Sequence, residues 1–545
     1  MMNSLSAPMP VTGPPKVKAI QQAKDAQSDF LVIGIVGAAG AGTSWTARVL
    51  RRLLESRCAK AEIVTAREGL QRASGLRWTA AMERREVDPI GAAEKLQAIG
   101  DSLRQHHDNA FAATAMIARI AELWVSVTPP AVVICDSLKH PDEARLLRMV
   151  YGDAFWLLGA VCDLDTRRRR LIKRFAKPDG TLPDGEKVRE FIERNQDDSE
   201  REYGQHVAAA FEIADYFVDT SPPLRDYRVP DTELDEWPVT GDLRRFLDLI
   251  RGDHRMLRPT DAEQAMYHAY AARLGSACLS RQVGAALIDR SGQLLATGCN
   301  EVPRAGGGLY GEGDGDEEDR EWGRCHRLNG FCSNTAERNA IIDDVLRLLT
   351  EAKIAVPEGG PERDDLRNRL RRSRLGQLIE FSRSVHAEMD ALVSAARKGV
   401  STVGGRLFVT TFPCHNCARH IVAAGIDEVR FIEPYLKSRA LALHADAITP
   451  TADAQALLPS VARARGVRGR HKVVFRPYVG AAPRLYRRAF AKDGEVKDGM
   501  TGRFLPAAEP GMMNLKPIER GFEQLQRDIA ERFNLAVAQG EEIPG

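Results

Sequence analysis

A chain of 545 residues is too long for one ordinary core, so two domains with flanking tails are expected. With 43% hydrophobic and 28% charged residues it has a globular composition, neither fibrous nor wholly disordered. A net charge of +2 argues against a dedicated nucleic-acid binder, and no apolar run has the length a bilayer span needs. The nine cysteines are odd in number and several, Cys135, Cys162, Cys278 and Cys299, sit in apolar segments. A secreted disulfide scaffold is thereby disfavoured, and a reducing, cytoplasmic setting fits better. Residues 1–28 are polar and proline-bearing without a signal-peptide core, and read as a flexible tail.

Phe30–Val36 is a near-continuous apolar run, the mark of a strand buried on both faces of a parallel sheet. It leads into Gly37, Gly40, Gly42, Thr43 and Ser44, then a helical pattern at Val49, Leu50, Leu53 and Leu54. Strand, glycine loop and helix form the setting of a phosphate-binding loop, in which backbone N–H groups cradle phosphate. Thr43 stands where that pattern has lysine, so nucleotide binding is expected to survive better than phosphoryl transfer. A glycine turn that binds nothing is the alternative. Ala131–Asp136 reads as the strand carrying a magnesium-directed Asp136, with a strand-end turn former as the alternative; Phe155–Cys162 is another buried strand. Arg167, Arg168, Arg169, Arg170, Lys173 and Arg174 load one short helix with charge, either a solvated face or an arginine-bearing lid. Together with Arg194-Asn-Gln196 and Ala214–Asp219, this segment resembles the P-loop domains of the dephospho-coenzyme A kinase type. The expected nucleotide-binding domain spans 29–252 and ends in a helix at Asp242–Ile250, with a linker at 251–258.

A capping box, Thr260 with Glu263, opens the second domain, placed at 256–490. Strands are expected at Val283–Ile288 and Gln293–Thr297, and further on at Arg406–Thr410 and Val429–Ile432. Between them stand His386-Ala-Glu388 and Pro413-Cys-His-Asn-Cys417. H-x-E followed by P-C-x-x-C is the pattern of zinc-dependent nucleobase deaminases. Pro413 is suited to open a helix, which puts Cys414 and Cys417 on one face of its first turn, where the macrodipole favours thiolate. Three ligands, His386, Cys414 and Cys417, leave one tetrahedral corner of a single catalytic Zn2+ for water, whose pKa the metal brings to about 7. Glu388 is then free to move protons. A closed structural zinc would need a fourth protein ligand.

Arg281-Gln-Val-Gly-Ala285, Gly298-Cys-Asn300 and the two zinc motifs, in this order, are similar to deoxycytidylate deaminases. Fused to the lysine-less loop domain, they make the chain resemble the bacterial anti-phage dCTP deaminases. The resemblance implies a P-loop NTPase-like parallel-sheet domain followed by a three-layer α/β/α deaminase domain. It also implies conversion of dCTP, with dCMP as a second substrate, to the uracil nucleotide. Asn300 would contact the sugar; Val283, Gly284 and Ala285 would wall the pyrimidine. A purine nucleoside triphosphate with Mg2+ at the loop would regulate, with an inhibitory RNA or protein partner and a homo-oligomer among the expectations. Asn300 as a turn residue is the plainer reading.

Within the insertion between Asn300 and His386, Cys325, His326 and Cys332 are either a second zinc site, as in some deoxycytidylate deaminases, or ordinary thiols; the spacing favours thiols. An acidic stretch, Asp314–Asp319, and a helix from 334 to 349 fall in the same insertion. Val461–Phe490 carries nine arginines and lysines with Phe475, Tyr478 and Tyr486 between them. It is the one feature favouring a deaminase of RNA or single-stranded DNA, or an RNA-binding regulator. Residues 491–545 read as a peripheral tail, partly helical near 522–533.

Overall fold

The computed structural model describes residues 30–57, 60–83, 85–124, 131–196, 205–222, 237–250, 257–312, 325, 330–354, 357, 359–435, 438–450, 458–467, 471–491, 497–504 and 519–539. The expected tail at 1–28, most of the expected linker, the acidic stretch and His326 lie outside them. Among the described residues no helix is long and apolar enough to cross a membrane.

Two six-stranded sheets organise the chain. In the first, β1 (Phe30–Val36), β2 (Lys60–Thr65), β3 (Ala131–Leu138), β4 (Phe155–Val161) and β5 (Tyr216–Asp219) are parallel, in the order β5-β4-β1-β3-β2. Every residue of β1 is buried, because helices cover both faces. Leu31, Ile33 and Ile35 point to the side of helix α1 (Thr43–Glu55), meeting Val49, Leu50 and Leu53. Phe30, Val32 and Val36 point to the other, where α2 (Phe111–Trp124) and α3 (Pro141–Tyr151) supply Met116, Ile117 and Leu147. Since β2 and β3 lie on one side of β1 and β4 and β5 on the other, the strand order reverses at β1, which opens a crevice at its C-terminal end. Two helices flank that end: α4 (Leu164–Arg174) and α5 (Gly185–Gln196).

The second unit begins with α6 (Asp261–Arg273), capped as expected: Thr260 accepts from Glu263 N, and Glu263 reaches back to Thr260 N at 2.8 Å. Strands β6 (Gly284–Ile288) and β7 (Leu294–Cys299) pair antiparallel, and β6 also pairs antiparallel with β8 (Arg406–Thr411). Parallel to β8 run β9 (Glu428–Glu433), β11 (Val473–Pro477) and β10 (Ile448–Thr449). The insertion holds α7 (Ser333–Glu351), near the helix expected at 334–349, and α8 (Gly360–Arg372). Helices α9 (Ala387–Arg397) and α10 (His415–Ala423) cover the face carrying Ala285, Leu287, Leu407 and Val409. On the opposite face, Ala286, Ile288 and Phe408 pack with Ala265, Met266 and Ala269 of α6.

That opposite face does not end at a domain boundary. Its core is continuous with that of the first sheet, and Tyr478, 1% exposed, meets Phe217 edge-on. Strand β12 (Gly480–Ala481) then pairs antiparallel with β5, and α11 (Pro483–Phe490) buries Leu485 and Ala489 in the first sheet's core. Residues 480–490, expected in the second domain, therefore complete the first sheet. The last helix, α12 (Glu519–Gln539), seats Phe533 against Phe111, and its Gln526 accepts from Tyr151 Oη at 2.9 Å. Helix α12 spans the stretch expected to be partly helical near 522–533, and it packs on α2 and α3.

Candidate active site

His386 is the N-cap of α9 and Cys414 the N-cap of α10, so two helix N-termini meet over the ends of the central strands. His386 Nδ1 lies 3.3 Å from Cys414 Sγ and 3.4 Å from Cys417 Sγ. Tetrahedral zinc with ordinary bond lengths separates a nitrogen and a sulfur ligand by about 3.6 Å, so this donor set fits the ion with a small expansion. No fourth His, Cys, Asp or Glu joins the group among the described residues. One imidazole and two cysteines therefore suit a zinc ion with one corner left over.

The electrostatics are those of a buried, charge-sharing cluster. Hydrogen bonding from Cys417 and then from His386 draws Cys414 down to about 4, while Cys417 is pushed up. Cys417 N also donates to Cys414 Sγ at 3.4 Å, the helix-terminal stabilisation of a thiolate. The hydrogen bond to Cys414 lifts His386 to about 9. Glu388, 4% exposed in the first turn of α9, is raised by burial to about 6, with His386 opposing. A carboxyl near neutrality beside a metal-ligand cluster is equipped to accept and return a proton.

Close packing holds α9 in place. Gly298 of β7 lies so near the helix that a Cβ there would come within 2.3 Å of Ala387 O and 2.4 Å of Ala391 N. Asp390 Oδ2 accepts from Cys299 N at 3.1 Å, tying the same turn to the strand. Neither link is visible as a sequence motif, although the Gly298-Cys-Asn300 triplet marks the place.

Asn300 is buried, with both arms committed to backbone: Oδ1 accepts from Val283 N and Nδ2 donates to Arg281 O, each at 2.6 Å. It clamps the ends of β6 and β7. Val283 and Ala285 pack in the core beside Cys414 and Cys417, while Gly284 faces the other layer, where a Cβ would strike Ala269 O at 1.9 Å. Strand alternation thus separates the expected wall residues into two facing the metal cluster and one facing α6. Sequence reasoning gave no role to the buried Glu433, which accepts from Arg281 at 3.0 Å and Thr411 at 3.2 Å at the end of β9. Cys325 and Cys332 have Ser333 and Ser280 beside their sulfurs, at 3.9 and 3.3 Å, and form no metal-ligand group among the described residues.

The glycine loop also takes shape. Gly40 and Gly42 both have φ of +79°, a left-handed bend that favours glycine. Ser44 donates to Asp136 at 2.6 Å, so these two expected residues meet, and Thr43 lies against Gly37. Asn195 accepts from Ala39 N at 2.6 Å, while Arg167 and Arg170 donate to Ala39 O and Gly40 O. Both arginines are under 10% exposed, so the basic helix turns two of its charges inward.

By contrast, the aromatic rings of the stretch 461–490 are engaged in packing, although Arg463, Arg465 and Arg487 stay exposed. Phe475 and Tyr478 are each 1% exposed. Tyr486 stacks on Tyr267 with centroids 4.3 Å apart. Arg476, Arg484 and Arg488 pair with Glu428, Asp215 and Asp153. These rings serve the core, because the strand and helix that carry them bridge the two sheets.

Residues 259–433 match the family model of the cytidine and deoxycytidylate deaminase zinc-binding region. The C-terminal part of this chain carries a deoxycytidylate deaminase domain. This domain, that of a hydrolytic deaminase enzyme, is 27% identical over 182 residues to the deoxycytidylate deaminase of Enterobacteria phage T4, covering 33% of this chain and 80% of the relative. It is 41% identical over 54 residues to ComE operon protein 2 of Bacillus subtilis (strain 168), covering 10% and 29%. Among solved structures, the dCMP deaminase of cyanophage S-TIM5 in apo form aligns at 20% identity and a TM-score of 0.20, covering 34% of this chain and 94% of that one. The deaminase match leaves residues 1–258 outside it.

Proposed function

We propose that the protein deaminates free deoxycytidine nucleotides, dCTP in preference to dCMP, and that loss of dCTP serves antiviral, anti-phage defence. The observation that carries this reading is a buried carboxyl, Glu388, next to a three-ligand metal group inside a deaminase domain. His386, Cys414 and Cys417 would hold Zn2+, which when bound supplies a water acidic enough to ionise near neutral pH. Glu388 takes a proton from that water, delivers it to ring N3, and passes the second to the departing amino group. Water and the C4 amino group are consumed; a C4 carbonyl and ammonia result. Val283 and Ala285 wall the pyrimidine. Asn300 holds that wall in place, and the remaining amide N–H is available to a sugar hydroxyl.

Uncontrolled removal of dCTP would harm the cell that makes the enzyme, so restraint is expected. The glycine loop, with Ser44 and Asp136 set for Mg2+, would bind a purine nucleoside triphosphate as the regulator. A homo-oligomer belongs to the same reading. The test uses the full chain with dCTP, dCMP, CTP and labelled oligonucleotides, following ammonia release with and without purine triphosphates. Release from dCTP and dCMP, but not from oligonucleotides, is the expected result; turnover of oligonucleotides alone would overturn it. In infected cells, the Glu388→Ala variant should leave the dCTP pool intact.

A further inference from the structure

We propose that Lys139, at the end of β3, is the phosphate-binding cation of the N-terminal site, in place of the lysine that the glycine loop lacks at Thr43. This rests on the reading that the loop binds a nucleoside polyphosphate.

Lys139 stands three residues beyond Asp136, just past the end of β3, the strand beside β1. Its Nζ donates to Gly37 O, the first carbonyl of the loop, at 2.5 Å. The side chain thus crosses from the neighbouring strand onto the first residue of the loop whose last residue, Ser44, donates to Asp136. Thr43 brings no charge, and its methyl rests against Gly37. Two nearby arginines are held in the walls: Arg167 reaches Ala39 O, and Arg170 reaches both Gly40 O and Thr220 O.

A second feature points to a ligand: Oδ1 of Asp136, the same carboxylate whose Oδ2 accepts from Ser44, is buried with no hydrogen-bond partner among the described residues. A flexible four-carbon stem lets the ammonium leave one carbonyl for a phosphate oxygen with little rearrangement. Burial draws Lys139 down to about 8, while Asp136 and Glu143 hold it up, so the amine is largely charged at neutral pH.

The test is equilibrium fluorescence titration of the full chain with mant-ATP, mant-GTP and mant-dATP plus Mg2+, and competition by tripolyphosphate. Lys139→Gln should weaken binding ~10- to 100-fold, the worth of a hydrogen bond to a charged group. Lys139→Arg should lose less, and adding Thr43→Lys to Lys139→Gln should recover part of the affinity. Wild-type binding with an unchanged Lys139→Gln variant would overturn the role of Lys139 and leave the nucleotide site standing. Absence of binding by wild type to all three probes would remove the nucleotide reading itself. Should Lys139→Gln not fold, acetylation of wild type read by mass spectrometry decides: ATP should protect Lys139, and an unprotected Lys139 at saturating ATP refutes the assignment.

Discussion

Gly298→Ala probes how the strand sets the active-site helix. A Cβ at this position meets Ala387 O at 2.3 Å and Ala391 N at 2.4 Å, both backbone atoms of the turn that carries Glu388. Neither can rotate away, so the helix must recede by about 1 Å to restore ordinary van der Waals contact. His386 caps that helix, and Asp390 ties it to Cys299 N, so the shift is passed to the metal group and the carboxyl together. Overpacking of this size costs about 1–3 kcal/mol of stability. Displacing reacting groups by about 1 Å costs on the order of 100-fold in rate. The expected variant is folded, holds zinc, and has a kcat on dCTP or dCMP lowered by about two orders of magnitude. The assay is ammonia release beside zinc content by mass spectrometry and a thermal melt. A variant with wild-type kcat would refute the claim that this contact fixes the catalytic geometry.

Other changes test other links. Glu388→Gln should keep zinc and fold while lowering kcat by about 10²- to 10⁴-fold, checked by the same ammonia assay. His140 is held down to about 4 by burial, where its ring caps α3 by accepting from Asp142 N. The unfolded chain therefore binds the proton more readily, and stability is lost as pH falls from about 6.5 toward 4. Chemical denaturation should show about 2 kcal/mol less stability at pH 5 than at pH 7 from this group, a difference that His140→Asn removes. Glu263, 1% exposed, caps α6, pairs with Arg245 at 2.6 Å and accepts from Ala481 N at 3.0 Å. Glu263→Ala should cost about 3–5 kcal/mol and open the junction of the two sheets to limited proteolysis.

Much of the local structure was written in short-range pattern. The apolar run at Phe30–Val36 could only be a strand covered on both faces, and it is. Thr260 with Glu263 announced a helix start because a capping box needs only four consecutive residues. His386, Cys414 and Cys417 were legible as candidate ligands because metal chemistry restricts residue type and spacing more tightly than packing does. Helix-initiating positions in the backbone then bring them together without further instruction.

What the linear order did not contain is which residues spend their polar groups on the fold. Asn300 is proposed as a sugar contact from its motif, but that Oδ1 and one amide N–H also clamp the backbone of Val283 and Arg281 is visible only in the fold. The rings of 461–490 suggested a nucleic-acid surface, but β11, β12 and α11 carry Phe475, Tyr478 and Tyr486 into packing at the seam between the sheets. Lys139 is an isolated lysine in the sequence, and only β3 laid beside β1 sets its amine on Gly37 O. Composition and local period determine what a segment can become, because helix, strand and metal site each need only neighbours in sequence. Whether a given charge or ring faces solvent, ligand or core depends on pairings between residues hundreds of positions apart, and only the closed tertiary structure decides those.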